Sequence, residues 1–309
     1  MTAVLGFSAY LPERVVTHGE LALQLGVEPD WILQACGIRE RRYAAEGEGV
    51  VDLAERAARR ALEAAGMAPA DLGAILVGSG TPTRRFPGIS ASLQQRLDVS
   101  GALALDVHLA SSGGLVALAL AADLCGRYGP VLVVGAEKMS EVVQAHPAKE
   151  TTILFGDGAG ACVVVPGEGP LHLCDVRAAS DGAFADDLYL GLEGPLVMNG
   201  RAVIMQANRK LAAAVQELLQ HNALGAADVD LFVFHQANLN LLRQVAKGLG
   251  IPESKVFVNL ETRGNTSAAS VLIAAAEAQA QGLARPGSRI VLAAFGAGFS
   301  HGAVLLEVR

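Results

Sequence analysis

Met67-Ala-Pro-Ala-Asp-Leu-Gly-Ala-Ile-Leu-Val-Gly78 reads as a helix end, an acidic turn and a short apolar strand, and Leu224-Gly-Ala-Ala-Asp-Val-Asp-Leu-Phe-Val-Phe-His235 repeats that reading. The two segments lie roughly 155 residues apart, a domain-scale spacing rather than a solenoid period. The units that follow match as well. Ala102–Val107, a turn at Ser111-Ser112 and then a helix mirror Lys255–Leu260, a turn at Gly264-Asn265-Thr266 and a helix over Ser267–Gln281. Each half closes with a strand and a glycine-rich turn. Strand and helix alternate along the whole chain, which predicts an α/β fold. The repeat divides it into two similar halves, residues 1–165 and 166–309, joined near Pro166–Pro170. Asp52–Ala65 carries Leu53, Ala57, Ala61 and Leu62 at helical spacing and is an amphipathic helix. Leu115–Leu124 is apolar nearly all round and is expected to be buried. The repeat places Ser111, His235 and Asn265 at strand ends or helix starts, where open α/β sheets bind ligands.

Composition limits what such a fold does. The chain has 309 residues, 51% apolar and 18% charged, enough to bury a large core. Lys plus Arg is 24 against Asp plus Glu 31, a formal net charge of -7. That balance excludes broad contact with nucleic acid, and an acidic partner has to meet a local basic patch. Cys36, Cys125, Cys162 and Cys174 show neither CxxC nor metal-ligand spacing and read as reduced thiols. The start, Met1-Thr-Ala-Val-Leu-Gly-Phe7, has no basic segment before an apolar stretch, so the expectation is a cytoplasmic chain without a signal peptide. The longest helical apolar run, Leu115–Ala122, is too short to span a bilayer.

Taken singly, the candidate residues are ambiguous. Ser111 opens a buried helix, and serine there is a favoured cap; the segment is not GxSxG, so no hydrolase elbow is present. His235 ends a strand, a placement suited to chemistry or to structure alike. Gly264-Asn265 is also an ordinary turn pair, with asparagine tolerating a left-handed backbone. Gly156-Asp-Gly-Ala-Gly-Ala161 fits a dinucleotide fingerprint but runs into the strand Cys162-Val-Val-Val165 rather than a helix, so no nicotinamide or flavin site is expected. Phe295-Gly-Ala-Gly-Phe299 also enters a strand; it is either a plain turn or a source of an oxyanion-binding N–H. The remaining histidines have no metal-ligand spacing.

Together the pieces resemble β-ketoacyl-ACP synthase III over essentially the whole chain. The matching stretches are Trp31-Ile32, Gly37-Ile-Arg-Glu-Arg41, Phe86-Pro87, Asp106-Val-His-Leu-Ala-Ser-Ser-Gly113, Phe155-Gly-Asp-Gly-Ala-Gly160, His235-Gln-Ala-Asn238, Gly264-Asn-Thr-Ser-Ala-Ala-Ser270 and Phe295-Gly-Ala-Gly-Phe299. The resemblance implies the thiolase fold, two α/β halves in a five-layer αβαβα arrangement. It also implies a Cys–His–Asn site that takes an acyl group from acyl-CoA and condenses it with malonyl-ACP, with coenzyme A as part of the substrate and no cofactor or metal. His235 and Asn265 match residue for residue, but the nucleophile position holds Ser111. A helix N-terminus shifts a group by up to ~2 kcal/mol, or about 1.5 pKa units, which suffices for a thiol but not for an alcohol. Ser111 is therefore expected to need His235 as a general base.

Three readings follow from the resemblance: a condensing enzyme in which serine has replaced the usual cysteine, an acyltransferase of the same fold acting on CoA or ACP thioesters, or a silent partner subunit that binds acyl carriers. Asn240 and Ala35 stand where the family carries arginines, which favours a diverged paralogue over a point mutant. By matched position, Trp31 and Lys149 are expected to hold the CoA adenine and Phe86 to bound the acyl pocket across a homodimer paired through Ala102–His108. The amides of Ser111 and Ala297 are expected to form the oxyanion hole. Arg209, Lys210, Arg243 and Lys247 are expected to meet the acyl carrier protein.

Overall fold

The computed structural model describes residues 1–309. Ten strands form the main sheet: β1 Thr2–Tyr10, β2 Ala74–Gly78, β3 Leu103–Val107, β4 Val131–Lys138, β5 Asp157–Pro166, β6 Leu171–Ser180, β7 Leu231–Phe234, β8 Val256–Phe257, β9 Arg289–Gly296 and β10 Ser300–Val308. Their spatial order is β8-β7-β9-β10-β6-β1-β5-β4-β2-β3. Read outward from the centre, one side runs 1-5-4-2-3 and the other 6-10-9-7-8, the same order offset by five. The sides meet only where Ala3 and Val4 of β1 pair with His172 and Leu171 of β6. Within each side the parallel strands follow from helical crossovers: β2 pairs in parallel with β3 and β4, and β7 with β8 and β9. Every residue of β2 and β7 is buried, as strands covered on both faces must be.

Five helices complete the layers: α1 Val50–Ala64, α2 Gly113–Tyr128, α3 Gly200–His221, α4 Leu239–Gly248 and α5 Ser270–Ala280. The amphipathic α1 lays Leu53, Ala57, Ala61 and Leu62 on one outer face of the β1-containing side, and α3 and α4 cover the opposite outer face of the other. The two helices without a polar face, α2 and α5, lie between the sheets, where Leu115, Leu118, Val271 and Leu272 join residues of both sides in one core. Each such side chain stabilises the layer by about 1.5–3 kcal/mol. Two expectations shift at element ends. Residues 255–260 shorten to the two-residue β8, because Leu260–Arg263 turns into a helical loop whose Thr262 and Arg263 N–H groups bond Asn259 O. The helix expected from Ser267 begins with a 3₁₀ turn, Ser267–Ala269, ahead of α5. Two hairpins lie outside the main sheet, Arg14–Thr17 with Glu40–Tyr43 and Leu188–Leu190 with Leu196–Met198. No helix is long and apolar enough to cross a membrane.

Candidate active site

Ser111 sits where β3 hands the chain to α2. Ala110 adopts a left-handed backbone, φ +43, and a single 3₁₀ turn over Ala110–Ser112 leads into the sixteen-residue helix. The Ser111 side chain caps nothing. Its Oγ instead faces Ser267 Oγ at 3.3 Å, at the matching turn before α5. Ser112 is occupied elsewhere, bonding Leu109 O at 3.0 Å and Ser300 Oγ. Nucleophile-type geometry is thus free at Ser111, at the positive end of a buried helix.

His235 follows β7 and is held by its own N–H on Ala293 O of β9, 2.8 Å. The ring is fully buried, edge-on to Phe295 with centroids 5.2 Å apart. Its Nδ1 hydrogen-bonds Ser270 Oγ. That hydroxyl already accepts the Gln236 N–H at 3.3 Å, and its own hydrogen has no acceptor other than Nδ1. Nδ1 is therefore the acceptor, and Nε2 carries the proton. Burial alone pushes the imidazole pKa down to about 3, so this neutral donor form persists at all ordinary pH. Asn265 is oriented by the same logic. Its Oδ1 accepts the Ser267 N–H at 2.9 Å, which leaves the amide NH2 as a donor. Its backbone is clamped between Leu154 O and Gly156 N, at 2.9 and 3.0 Å. The Leu154–Gly156 lead-in thus serves as a backbone clamp on the site, and the glycine-rich turn expected after it is instead the start of β5. The left-handed residue of the Gly-Asn pair is Gly264, φ +68, and not Asn265.

Ser111, His235, Asn265, Ser267 and Ala297 line one cavity of about 330 Å³ with an otherwise largely apolar wall that includes Met139, Phe155, Leu188 and Leu196. A hydroxyl at a helix start and two neutral donors in an apolar hollow suit a carbonyl whose oxygen gains charge. A family model for 3-oxoacyl-(acyl-carrier-protein) synthase III matches residues 105–182, and the model of its C-terminal part matches residues 219–308. The β-ketoacyl-(acyl-carrier-protein) synthase III of Oleidesulfovibrio alaskensis is 40% identical over 324 residues, covering 98% of each chain. Its counterpart from Aquifex aeolicus is 37% identical, covering 99% of each. The chain belongs to the β-ketoacyl-ACP synthase III family. The crystal structure of the Aquifex aeolicus synthase III superposes with a TM-score of 0.95, covering 99% of this chain and 100% of that one. The priming β-ketosynthase of the R1128 polyketide pathway, 33% identical, superposes at 0.92 and covers 100% and 96%. The thiolase fold expected from the sequence is the fold of this synthase.

Around the cavity of the synthase the other expected residues are spread unevenly. Trp31 lines it, half-buried, and Lys149 Nζ stands 6.0 Å from the indole centroid while pairing loosely with Glu150. Ala297 reaches the wall because Gly296 lets its turn press on the nucleophile turn; a Cβ at 296 would lie 2.6 Å from Leu109 O and 2.7 Å from Ser112 N. Asn240 bonds Gln34 O at 3.0 Å, and Asn238 caps α4 while holding Ala35 O at 2.9 Å. Arg243 and Lys247 are exposed on one face of α4. Arg209 is exposed on the neighbouring α3, bridged to α4 through Asn208 and Gln244. Lys210 departs from expectation: its Nζ pairs with Asp181 at 2.6 Å with the side chain only 15% exposed, so it is no part of an open basic face. Phe86 does not line the cavity and is 84% exposed. Ser267 and Ser270 lie within a quoted motif but carry no role in the sequence reading; their signal is the run of hydroxyls after Asn265, invisible as chemistry until the two halves are brought together.

Proposed function

We propose that this synthase loads an acyl group from a thioester onto Ser111 and condenses it with a malonyl carrier. The observation that carries the reading is the pair of fixed donors, His235 Nε2–H and the Asn265 NH2, on the wall that also holds Ser111. In the first half-reaction the serine oxygen bonds the acyl carbon, the C–S bond breaks and the hydroxyl proton leaves on the thiol, with the Ser111 and Ala297 N–H groups on the carbonyl oxygen. In the second the malonyl thioester loses CO2. The resulting enolate oxygen is held by His235 and Asn265 while its carbon attacks the Ser111 ester; the ester C–O bond breaks and the departing Ser111 oxygen takes a proton from water. Removing a donor aimed at such an oxyanion costs about 10²–10³ in rate. His235→Ala and Asn265→Ala are thus each expected to lower malonyl-ACP decarboxylation by that factor; undiminished decarboxylation contradicts the assignment.

The supporting sites are part of the same proposal. Trp31 and Lys149 at the cavity edge suit an adenine ring, with lysine lacking the planar stacking of arginine. Arg209, Arg243 and Lys247 offer an acidic carrier a local basic face despite the net charge of -7. A homodimer is favoured by β3, an edge strand whose outer side is unpaired and whose Leu103 and Leu105 are exposed, as is Phe86. The repeated strand order supports reading residues 1–165 and 166–309 as equivalent halves. Four free thiols fit a cytoplasmic setting.

A further inference from the structure

The Asn265 donor hangs on a bridge between segments far apart in the chain. Asn265 pairs in parallel with Phe155 alone, through its N–H on Leu154 O at 2.9 Å and the Gly156 N–H on its own carbonyl at 3.0 Å. Leu154–Gly156 and Gly264–Thr266 lie outside every helix and strand. A two-bond bridge without ladder neighbours opens readily unless something else holds it.

Arg41 meets that bridge from behind. It lies in the hairpin strand Glu40–Tyr43 and is the largest fully buried side chain of the molecule. Its Nη2 donates to Ile153 O at 2.6 Å, one residue before the carbonyl that takes the Asn265 N–H. Its Nη1 donates to Val16 O at 3.4 Å, and its Nε–H has no partner. These acceptors are backbone carbonyls; no carboxylate pairs with it, although a guanidinium keeps its charge in a protein. The stem touches both sides of the bridge. A Cβ at Gly264 would stand 2.9 Å from Arg41 Cβ, and one at Gly156 3.0 Å from it. A buried charge without a counter-ion is costly, and an apolar side chain of the same length would serve packing as well. What the guanidinium adds is a charge-assisted bond, stronger than a neutral one, that fixes the Ile153 carbonyl. Arg41 itself does not line the cavity, whereas Ile153, Leu154 and Phe155 do.

We propose that Arg41 is a positioning residue for decarboxylation, holding Ile153–Gly156 against Gly264–Asn265 so that the Asn265 amide stays aimed at the enolate oxygen. The inference rests on His235 and Asn265 being the donors to that oxygen. A drift of about 1 Å in such a donor is enough to cost up to about 10²-fold in rate. Acylation draws on the Ser111 turn and the Ala297 N–H, neither of which Arg41 bonds, so the two half-reactions respond differently to its loss.

The test is malonyl-ACP decarboxylation by Arg41→Met and Arg41→Lys, each made in the native and in the Asn265→Ala chain, with acylation by acetyl-CoA followed on the same preparations. Arg41→Met is expected to lower the decarboxylation kcat about tenfold or more while KM changes less than about twofold. Arg41→Lys keeps a charged donor on a long stem and is expected to recover part of that loss. In the Asn265→Ala chain either substitution is expected to cost less than about twofold more, because the group it positions is gone. Acylation is expected to stay within about threefold of native. If Arg41→Met does not fold, Arg41→Lys carries the same cycle. Native-rate decarboxylation in the Arg41 variants, a loss carried by KM, equal losses in both half-reactions, or a loss that multiplies with that of Asn265→Ala overturns the inference and leaves the two donors in place. Native-rate decarboxylation in Asn265→Ala alone overturns the reading of the donors and this inference with it.

Discussion

At the scale of single residues, the proposed chemistry depends on a histidine that stays neutral. Unfolded, His235 titrates near 6.5; folded, it takes no proton until about pH 3. Between those values the unfolded chain binds the extra proton. The stability gained by keeping the ring neutral is therefore complete above about pH 6.5 and is lost as pH falls toward 3, by up to about 1.4 kcal/mol per unit. Glu137 and Asp157, raised by burial, act in the opposite sense at the acid end, so the informative quantity is a difference between chains. The stability advantage of the native chain over His235→Gln is expected to shrink as pH is lowered from about 7 to about 5 in urea melts. An advantage that is constant with pH contradicts the burial argument. The same neutrality predicts that malonyl-ACP decarboxylation shows no acid limb near pH 6.5; a limb there that disappears in His235→Gln contradicts it.

At the scale of elements, the site is built from two equivalent turns pressed together. Gly296→Ala forces a methyl against Leu109 O and Ser112 N, backbone atoms that cannot swing aside. A destabilisation of about 1–3 kcal/mol is expected, with slower acylation from a displaced Ser111 turn. An unchanged denaturation midpoint contradicts the close approach. Much of this was legible beforehand. The repeat around Asp71 and Asp228 announced the two matching strands, and the nearly all-apolar Leu115–Leu124 announced a largely buried helix. What stayed hidden was whatever depends on contact between distant segments. Ser111 reads locally as a cap, and only the position of Ser267, from the other half, shows that its hydroxyl is free for other work. Lys210 reads as one of a basic pair with Arg209. Adjacent residues on a helix point about a quarter-turn apart, and Asp181 meets only one of them. The helical loop at Leu260–Arg263 was lost to the apolar run before it, which has no period long enough to choose between strand and helix.

At the scale of the whole molecule, the proposed homodimer is tested at the unpaired edge of β3. Leu105→Glu is expected to convert a particle of twice the chain mass into one of single mass in light scattering, because a charge facing its symmetry mate opposes edge pairing. A native chain that is already monomeric contradicts the proposal. The carrier face is tested by Arg243→Glu with Lys247→Glu. Binding of malonyl-ACP is expected to weaken at least about tenfold, and native binding is expected to weaken with salt as charges are screened within about 10 Å at 0.1 M. Affinity that is indifferent to both places the carrier elsewhere. Whether Ser111 carries the acyl group inside a synthase III site is read from the mass of the intact chain after incubation with acetyl-CoA. One added acetyl group in the native protein, absent in Ser111→Ala and discharged by malonyl-ACP, is the predicted result; an acetyl group that survives Ser111→Ala, or none in the native protein, contradicts it.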